Sequence, residues 1–238
     1  MTRLPRGMMP ALSIIIPTLD EAAGIAATLA ALQPFRQRGV EVIVVDGGSR
    51  DDTVARATPL ADRVLSASPG RARQMNAGAA ASTGGVLLFL HADTVLPDDG
   101  DGLVRYGLAD TGRCWGRFDV EIGGNNPLLK LVAGLMNWRS QITGIATGDQ
   151  AMFVTRDAFA AAGGFDDIPL MEDIALSRKL KRLGRPLCLA ARARTSPRRW
   201  AKHGTIRTIL LMWRLRLAYW LGAEPAALAK RYGHPPRD

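Results

Sequence analysis

The sequence predicts an α/β fold with a doubly wound, mostly parallel sheet, flanking helices and a C-terminal amphipathic helix. Residues 12–16, 40–46 and 86–90 are runs of mainly apolar, often β-branched residues, as in strands that are buried on both faces. Segments that favour helices separate these runs and give a β-α-β-α order, which is typical of a parallel sheet. Polar side chains follow the runs, and ligands bind outside the carboxyl ends of the strands in such sheets.

The first half of the chain is predicted to contain four strands and three helices. Ser49, Asp51 and Asp52 are expected to cap the second helix. No G-x-G-x-x-G motif follows the first strand, which excludes a nicotinamide-dependent enzyme of the dinucleotide-binding type. In chain order, the elements are strand 12–16, helix 22–32, strand 40–46, a helix from residue 53, strand 63–65, helix 71–82 and strand 86–90.

The second half is less regular, with helices and short strands that alternate unevenly. We expect a single domain over residues 1–238, with a core of about 11–200 and a basic amphipathic helix at about 205–222. In chain order, the predicted elements are strand 115–122, a helix from about 125 to 138, strand 151–154, helix 156–162, helix 174–183, strand 187–190 and helix 205–221.

The positive charge of the protein is concentrated near the C-terminus. The formal net charge is +9, and residues 174–223 contain 13 Lys or Arg and no acidic residue. The expected targets are substrate phosphates, an anionic membrane surface or nucleic acid. A solvated basic face without a specific partner is the alternative. The region has few aromatic residues for base stacking, so we do not expect a nucleic-acid partner.

The predicted helix 205–221 has apolar residues at helical spacing. Arg207, Arg214 and Arg216 interrupt the apolar run, so the helix is not expected to span a bilayer. Its arginines and two tryptophans suit a helix at a membrane interface. The alternative is packing on its own domain or on a second subunit in a homodimer. The apolar positions are Ile206, Ile209, Leu210, Trp213, Leu217 and Trp220.

Two isolated cysteines and the N-terminal sequence predict the compartment. Cys114 and Cys188 match no metal-binding spacing and favour a reducing environment. Pro17 breaks the first apolar run, and acidic residues follow it, so no signal peptide is expected. We therefore expect a cytoplasmic protein, with peripheral association at the inner face of the cell membrane.

Metal-capable and acidic side chains follow several predicted strands or precede helices. His91 and Asp93 come directly after residues 86–90, which makes Asp93 a candidate ligand for a divalent cation. The alternative is that Asp93 caps a turn toward Pro97. Several such sites around one sheet predict a shared cleft. The other acidic positions are Asp20, Glu21, Asp46, Glu172 and Asp173.

This arrangement resembles the family 2 inverting glycosyltransferases of the GT-A fold, over residues 12 to about 200. The stretch 17–21, Pro-Thr-Leu-Asp-Glu, is similar to the family's P-[TA]-x-N-E motif, with Asp20 where Asn is usual. The stretch 46–49, Asp-Gly-Gly-Ser, is similar to D-D-x-S but lacks its second carboxylate. The stretch 91–93, His-Ala-Asp, resembles the D-x-D metal motif with His in the first position.

The resemblance implies roles for individual residues. Asp173 corresponds to the catalytic base of the family and Glu172 lies beside it; the alternative is that both merely cap a helix. Asp93 and His91 correspond to the metal motif, which implies Mg²⁺ or Mn²⁺ as the cofactor. The donor-binding positions that the resemblance implies are Pro17, Thr18, Glu21, Asp46, Arg71, Asn76 and Ala92. To the acceptor or phosphate side of the site we assign Asp149, Arg198, Arg199 and Trp200.

The resemblance implies a metal-dependent inverting glycosyltransferase. Such an enzyme moves a sugar from a nucleotide-diphosphate donor to an acceptor hydroxyl or carboxylate, and we expect the acceptor to be lipid-like or lipid-linked. Two alternatives are a non-catalytic nucleotide-sugar-binding or membrane-adaptor protein, which His91 and Gly47 favour, and a sugar-phosphate nucleotidyltransferase. The nucleotidyltransferases have a Gly-rich loop after the first strand, which this chain lacks.

Overall fold

A computed structural model describes residues 10–198, 200 and 204–233. The eight described strands form one sheet in the order β3-β2-β1-β4-β7-β6-β8-β5. The strands are β1 Leu12–Thr18, β2 Glu41–Asp46, β3 Arg63–Ser66, β4 Val86–Phe89, β5 Thr94–Val95, β6 Trp115–Ile122, β7 Phe153–Thr155 and β8 Leu187–Thr195. The helices are α1 Ile25–Ala31, α2 Gln33–Gln37, α3 Thr53–Ala57, α4 Arg71–Ala81, α5 Gly100–Thr111, α6 Pro127–Thr143, α7 Arg156–Ala161, α8 Glu172–Leu180, α9 Thr205–Trp220 and α10 Pro225–Tyr232.

The sheet confirms the predicted α/β class. Strand β1 pairs in parallel with β2 and β4, and β2 pairs in parallel with β3. The carboxyl ends of β1, β2 and β4 therefore meet at one edge of the sheet. Strand β7 runs antiparallel to both β4 and β6, while β6 and β8 are parallel, so the second half of the sheet is mixed.

The central strands are buried on both faces, as their continuous apolar runs predict. Along β1, Ile14 and Ile16 belong to the core on one side of the sheet, and Ile15 belongs to the core on the other. Helix α4 packs closely on the face of the sheet that carries Ile15. A Cβ atom added to Gly78 would lie 2.4 Å from Ile15 Cγ2, so this glycine permits the helix to approach the strand.

Several elements differ from the sequence-based expectations. The predicted helix 22–32 is shorter, and a second helix, α2, follows because Pro34 disfavours continuation of α1. Helix α5 was not predicted, since its three glycines and two aspartates lower its helix propensity. Tertiary contacts compensate: Asp101 is buried and pairs with Arg38 and Arg105 at 2.6 Å each. Helix α10 was also not predicted, and α6 and β8 run five residues past their predicted ends.

Helix α9 packs on the domain through one face and exposes the other. Its buried Leu215 lies in a cluster with Met171 and Ile174, at the start of α8, and with α10. The stripe identified in the sequence is mainly exposed: Trp213 is 61% exposed and Trp220 is 73% exposed. Packing on its own domain thus accounts for one face only. In the part of the chain that the structure describes, no helix is both long and apolar enough to cross a membrane.

Candidate active site

The loops that follow β1 and β2 are tied together at the carboxyl edge of the sheet. The Asp20 amide donates to Ser49 Oγ at 2.9 Å, and Asp20 Oδ1 accepts from the Arg50 amide at 2.8 Å. Asp20 has a φ of 53°, a left-handed conformation that Asn and Asp tolerate better than most residues. The backbone therefore explains why an Asp fits this position. The result is a preformed platform of two loops.

Asp46 holds the second of these loops. Its Oδ2 accepts from the amides of Gly48 and Ser49 at 2.9 Å each, and Ser49 Oγ donates to Oδ1 at 2.5 Å. Both oxygens are thus engaged by the loop itself. Pro17 and Thr18 lie within β1, buried beside Val45. Pro17, Thr18 and Asp46, all candidate donor-binding residues, thus mainly determine the backbone conformation of the platform.

Gln74 on α4 was missed in the sequence, and it braces the same platform. Its side chain is buried, and Nε2 donates to the carbonyl oxygens of Thr18 and Val45 at 2.7 and 2.8 Å. The signal in the sequence is weak, because one glutamine in a helix is usually exposed. Asn76, a candidate donor residue, uses both ends of its amide on the backbone of Phe165, at 2.9 and 3.0 Å. In this structure Asn76 joins α4 to the loop before α8.

His91, which follows β4, pairs with Asp149 in the turn before β7. His91 Nδ1 lies 3.3 Å from Asp149 Oδ1. Burial opposes the charge on His91, but the hydrogen bond and the attraction of Asp149 outweigh it and raise the pKa of the imidazole. Burial would raise the pKa of Asp149, yet its hydrogen bond with His91 lowers it overall. The other ring nitrogen, Nε2, faces Gly148, where an added Cβ would lie 2.3 Å away.

Asp173 is oriented by two backbone amides. The Gly148 amide donates to Asp173 Oδ2 at 2.8 Å, and the Ile174 amide donates to Oδ1 at 2.7 Å. Gly148 thereby links Asp173 to the His91–Asp149 pair. The sequence could not reveal this backbone donor. A small pocket lies between these groups, lined by Met75, Phe89, His91, Gly148, Met152, Phe165, Glu172 and Asp173.

Glu172, which lines the pocket, pairs with Arg71 on α4. Arg71 Nη1 lies 3.6 Å from Glu172 Oε1, and the Glu172 side chain is 6% exposed while that of Arg71 is 39% exposed. Burial raises the pKa of Glu172; the positive charge of Arg71 opposes this and the negative charge of Asp173 adds to it. Burial lowers the pKa of Arg71, but the charge of Glu172 outweighs that effect and raises it. Arg71 is thus a partly exposed cation next to Glu172.

Backbone strain is concentrated around this site. Among the described residues, three that are not glycine have a positive φ: Asp20 at 53°, Ala151 at 45° and Met171 at 70°. Asp20 is on the platform, Ala151 follows the turn that carries Gly148, and Met171 precedes Glu172. Such conformations persist only where surrounding structure enforces them, and they are common at functional sites.

Asp93 lies beside Arg198. Arg198 Nη2 lies 3.5 Å from Asp93 Oδ2 and 3.0 Å from Glu21 Oε2. A cationic nitrogen therefore stands between two carboxylates, which is an environment that also suits a divalent cation. No group of three or more His, Cys, Asp or Glu that could hold a metal occurs in the described ranges. The residues fit Mg²⁺ or Mn²⁺ if substrate oxygens complete the coordination. For His91 to act as a ligand, its ring would have to leave Asp149 and Gly148.

The remaining candidates are farther from this centre. Ala92 is buried, and its carbonyl oxygen accepts from Thr28 Oγ1 at 2.6 Å. Trp200 is half-buried against the cluster of Val120, Ile122, Leu129 and Ala133. Arg199 lies outside the described residues. The structure thus brings Asp149, Glu172, Asp173, His91 and Arg71 together, and joins Arg198 to Glu21 and Asp93.

Comparison with known sequences identifies relatives for part of the chain. Residues 13–158 match the sequence model of glycosyl transferase family 2. The chain is 32% identical over 96 residues to a glucosyl-3-phosphoglycerate synthase of Mycolicibacterium paratuberculosis, covering 36% of this chain and 29% of that protein. It is 38% identical over 94 residues to a PGL/p-HBAD biosynthesis glycosyltransferase of Mycobacterium bovis, covering 37% of each. The matches thus span less than two fifths of these relatives.

Solved structures share the fold. The mannosyltransferase PcManGT from Pyrobaculum calidifontis, in complex with GDP-Man and Mn²⁺, superposes with a TM-score of 0.65 at 23% identity, covering 97% of this chain and 67% of that chain. TarS of S. aureus superposes with a TM-score of 0.61 at 17% identity, covering 79% of this chain and 61% of that chain. Identities this low establish the fold alone. The family match spans more than half of the chain, and the protein therefore belongs to glycosyl transferase family 2.

Proposed function

We propose that the protein is an inverting, metal-dependent glycosyltransferase that takes a nucleotide-diphosphate sugar as donor. The observation that carries this proposal is the pocket at the carboxyl edge of the sheet, where Asp173 is fixed by two amides beside Arg71 and the His91–Asp149 pair. A cation for the diphosphate and an oriented carboxylate for the acceptor are the two groups that this reaction needs. Membership of the family supports the same activity.

The donor side of the site is the platform after β1 and β2, together with Arg71 and Asp93. Pro17, Thr18 and Asp46 give the platform its shape, and Arg71 offers charge-assisted hydrogen bonds to phosphate oxygens. Asp93 is the carboxylate for Mg²⁺ or Mn²⁺. A bound ion of this kind would offset the negative charge on the departing diphosphate, an effect typically worth several kcal/mol.

Asp173 is the general base in this proposal. The acceptor oxygen forms a bond to the anomeric carbon while the bond from that carbon to the diphosphate oxygen breaks. The bonding electron pair leaves with the nucleoside diphosphate, and the acceptor proton passes to the Asp173 carboxylate. The two amide hydrogen bonds leave this carboxylate lining the pocket, at the positive end of helix α8. Glu172 pairs with Arg71 and holds that cation in place.

Calorimetric titration with nucleoside diphosphates tests the donor side. UDP and GDP are titrated into wild type and Asp93→Ala, with and without Mn²⁺. We expect at least one nucleotide to bind with Mn²⁺ and the variant to lose about tenfold or more in affinity. Asp110→Ala, an exposed aspartate on α5, is the matched control and should behave as wild type. Equal, metal-independent affinity of wild type and Asp93→Ala would remove Asp93 from this role.

We further propose that the exposed face of α9 associates with anionic membranes, where a lipid-linked acceptor would be found. The neighbouring helix α6 supports this, since it also exposes large apolar side chains on its surface. The exposed residues of the two helices are Leu128, Leu131, Leu135, Trp138 and Ile142 on α6 and Ile206, Leu210, Trp213, Leu217 and Trp220 on α9. Arginines on α9 accompany this apolar face, and a basic apolar surface suits an anionic membrane interface.

Sedimentation with vesicles tests this association. Wild type should pellet with phosphatidylglycerol vesicles at low salt, less at high salt, and not with neutral vesicles. The double variant Trp213→Ala with Trp220→Ala should lose most of this binding. Tyr106→Ala removes an equally exposed aromatic residue from α5, distant in sequence, and should retain it. Absence of pelleting would leave the face as a subunit interface, which the molar mass in solution would reveal.

A further inference from the structure

Two arginines, one on α6 and one on α9, have buried nitrogen atoms without partners. Nε and Nη2 of Arg139, on α6, and Nε of Arg216, on α9, are buried and make no hydrogen bond within the described part of the chain. They are three of only five such side-chain atoms among the described residues. Buried polar groups in proteins are nearly always paired, and charged groups especially so. These three nitrogen atoms can therefore still donate hydrogen bonds to an anionic group.

The two arginines lie at similar distances from the N-termini of their helices. Asn126, the N-cap of α6, donates to Thr205 Oγ1 at 3.3 Å, so α6 and α9 begin next to each other. Arg139 follows Asn126 by thirteen residues and Arg216 follows Thr205 by eleven, which places them roughly 20 and 16 Å along their helices. Leu215, the neighbour of Arg216, packs against Ile174 at the start of α8. Both arginines therefore lie on the same side of the domain as the N-terminus of α8, which carries Asp173.

The charges around the pair agree with this placement. Arg139 is repelled by Arg216 and Arg117 and attracted by Asp173, and Arg216 acts electrostatically on Asp149. Burial, followed by the charge of Arg216, lowers the pKa of Arg139 to about 10, so Arg139 stays charged at neutral pH. Neither arginine takes part in an ion pair within the described ranges, whereas Arg117 has Asp119 as its partner.

We propose that Arg139 and Arg216 bind an acidic group of the acceptor, a phosphate or a carboxylate, and so hold the acceptor next to Asp173. This inference rests on the proposed function. The candidate donor contacts follow β1, β2 and β4 or lie on α4, whereas the arginine pair is carried by α6 and α9. The planar guanidinium presents several donors in a fixed fork, which matches phosphate and carboxylate oxygens. The acid belongs either to a small soluble acceptor or to a lipid head group.

Calorimetry with soluble probes tests the small-acceptor source. The probe is 3-phosphoglycerate, which carries both a phosphate and a carboxylate, and glycerol is the neutral control. Wild type should bind the acid and not glycerol, and Arg139→Gln and Arg216→Gln should each weaken binding by about tenfold to a hundredfold. Arg214→Gln removes an exposed arginine from the same helix and should have no effect. Both Gln variants should melt at or above the wild-type temperature, because each removes a buried unpaired charge.

Vesicles that contain phosphatidic acid in phosphatidylcholine test the lipid source. If 3-phosphoglycerate fails to bind but these vesicles bind in a manner that needs Arg139 and Arg216 and not Arg182, an exposed arginine outside α6 and α9, the acid is a lipid head group and the inference stands. If neither probe depends on the pair, the inference is wrong. A matching loss of UDP or GDP affinity with Mn²⁺ would assign the pair to the donor and overturn it too. Failure of wild type to bind either nucleotide would instead refute the proposed function.

Discussion

Gly148→Ala is the substitution that perturbs the site most locally. The added Cβ would lie 2.3 Å from His91 Nε2 and 2.7 Å from His91 Cε1. Normal contact between such atoms is about 3.5 Å, so the ring must move by roughly 1 Å or the turn must shift. Gly148 is not among the described glycines with a positive φ, so alanine can adopt its backbone conformation. The substitution therefore tests the steric clash with His91 and not backbone strain. The same residue donates to Asp173, and movement of the turn would misplace the carboxylate.

The expected losses follow from these distances. Overpacking a buried contact costs about 1–3 kcal/mol, and each kcal/mol lowers the melting temperature of a chain of this size by about 2–4 °C. A displacement of about 1 Å at the reacting groups costs about a hundredfold in turnover. Turnover is measured as release of nucleoside diphosphate from the nucleotide sugar that binds with Mn²⁺.

Gly134→Ala is the matched control for this experiment. Gly134 is an exposed glycine within α6, and an added Cβ would meet nothing within 4 Å. This variant should be as active as wild type and more stable by about 0.5–1 kcal/mol, since alanine favours the helix. If Gly148→Ala also kept the melting temperature and turnover of wild type, the described contact between Gly148, His91 and Asp173 would be refuted.

Further predictions concern the charged groups of the pocket. Asp173→Asn keeps the shape of the side chain but cannot accept a proton, so turnover should fall about a hundredfold or more while donor affinity stays unchanged. Turnover near that of wild type would mean that Asp173 is only a helix cap, and Glu172 would then be the next candidate for the base. By NMR titration, His91 should have a pKa above its ordinary value of 6.5, and Asp149→Asn should lower it, because burial and the charge of Arg71 then outweigh the remaining attraction of Asp93. Because the folded pKa of His91 is raised, its contribution to stability should be complete below about pH 6.5 and be lost as pH rises through that pKa. An unchanged His91 pKa in Asp149→Asn would contradict the pairing.

The positions of the candidate residues could be predicted where a strand or helix end fixes them. Continuous apolar runs identify buried parallel strands, and the first polar residue after such a run lies at the edge where ligands bind. This places Asp46, His91 and Asp93 correctly at one edge. A different signal predicts Glu172 and Asp173, which are acidic residues next to the start of a helix; the helix begins at Glu172 itself.

The connections between these residues could not be predicted. Arg198 meets Glu21 and Asp93 across large sequence separations, and no local pattern records such a contact. The amide of Gly148 orients Asp173, and a backbone donor has no side-chain signature in the sequence. The role of Asp46 could not be predicted either, because both of its carboxylate oxygens accept hydrogen bonds from Gly48 and Ser49 in the turn that follows it.

The orientation of α9 shows a different limit of periodicity. The stripe that includes Trp213 and Trp220 was identified from helical spacing, yet it is exposed. A second stripe, which includes Leu211 and Leu215, packs against the start of α8 instead. When a helix is apolar on two faces, both faces show the same helical spacing in the sequence. Only the neighbouring hydrophobic cluster then determines which face is buried.

The stereochemistry of donor cleavage tests the central claim most directly. Wild type is incubated with α-linked UDP-glucose, UDP-N-acetylglucosamine and GDP-mannose in the presence of Mn²⁺, and the released or transferred sugar is followed by proton NMR before its anomers equilibrate. We predict that at least one donor is consumed, that the first product is the β anomer, and that Asp173→Asn abolishes most of its formation. A first product with the α configuration would contradict an inverting glycosyltransferase.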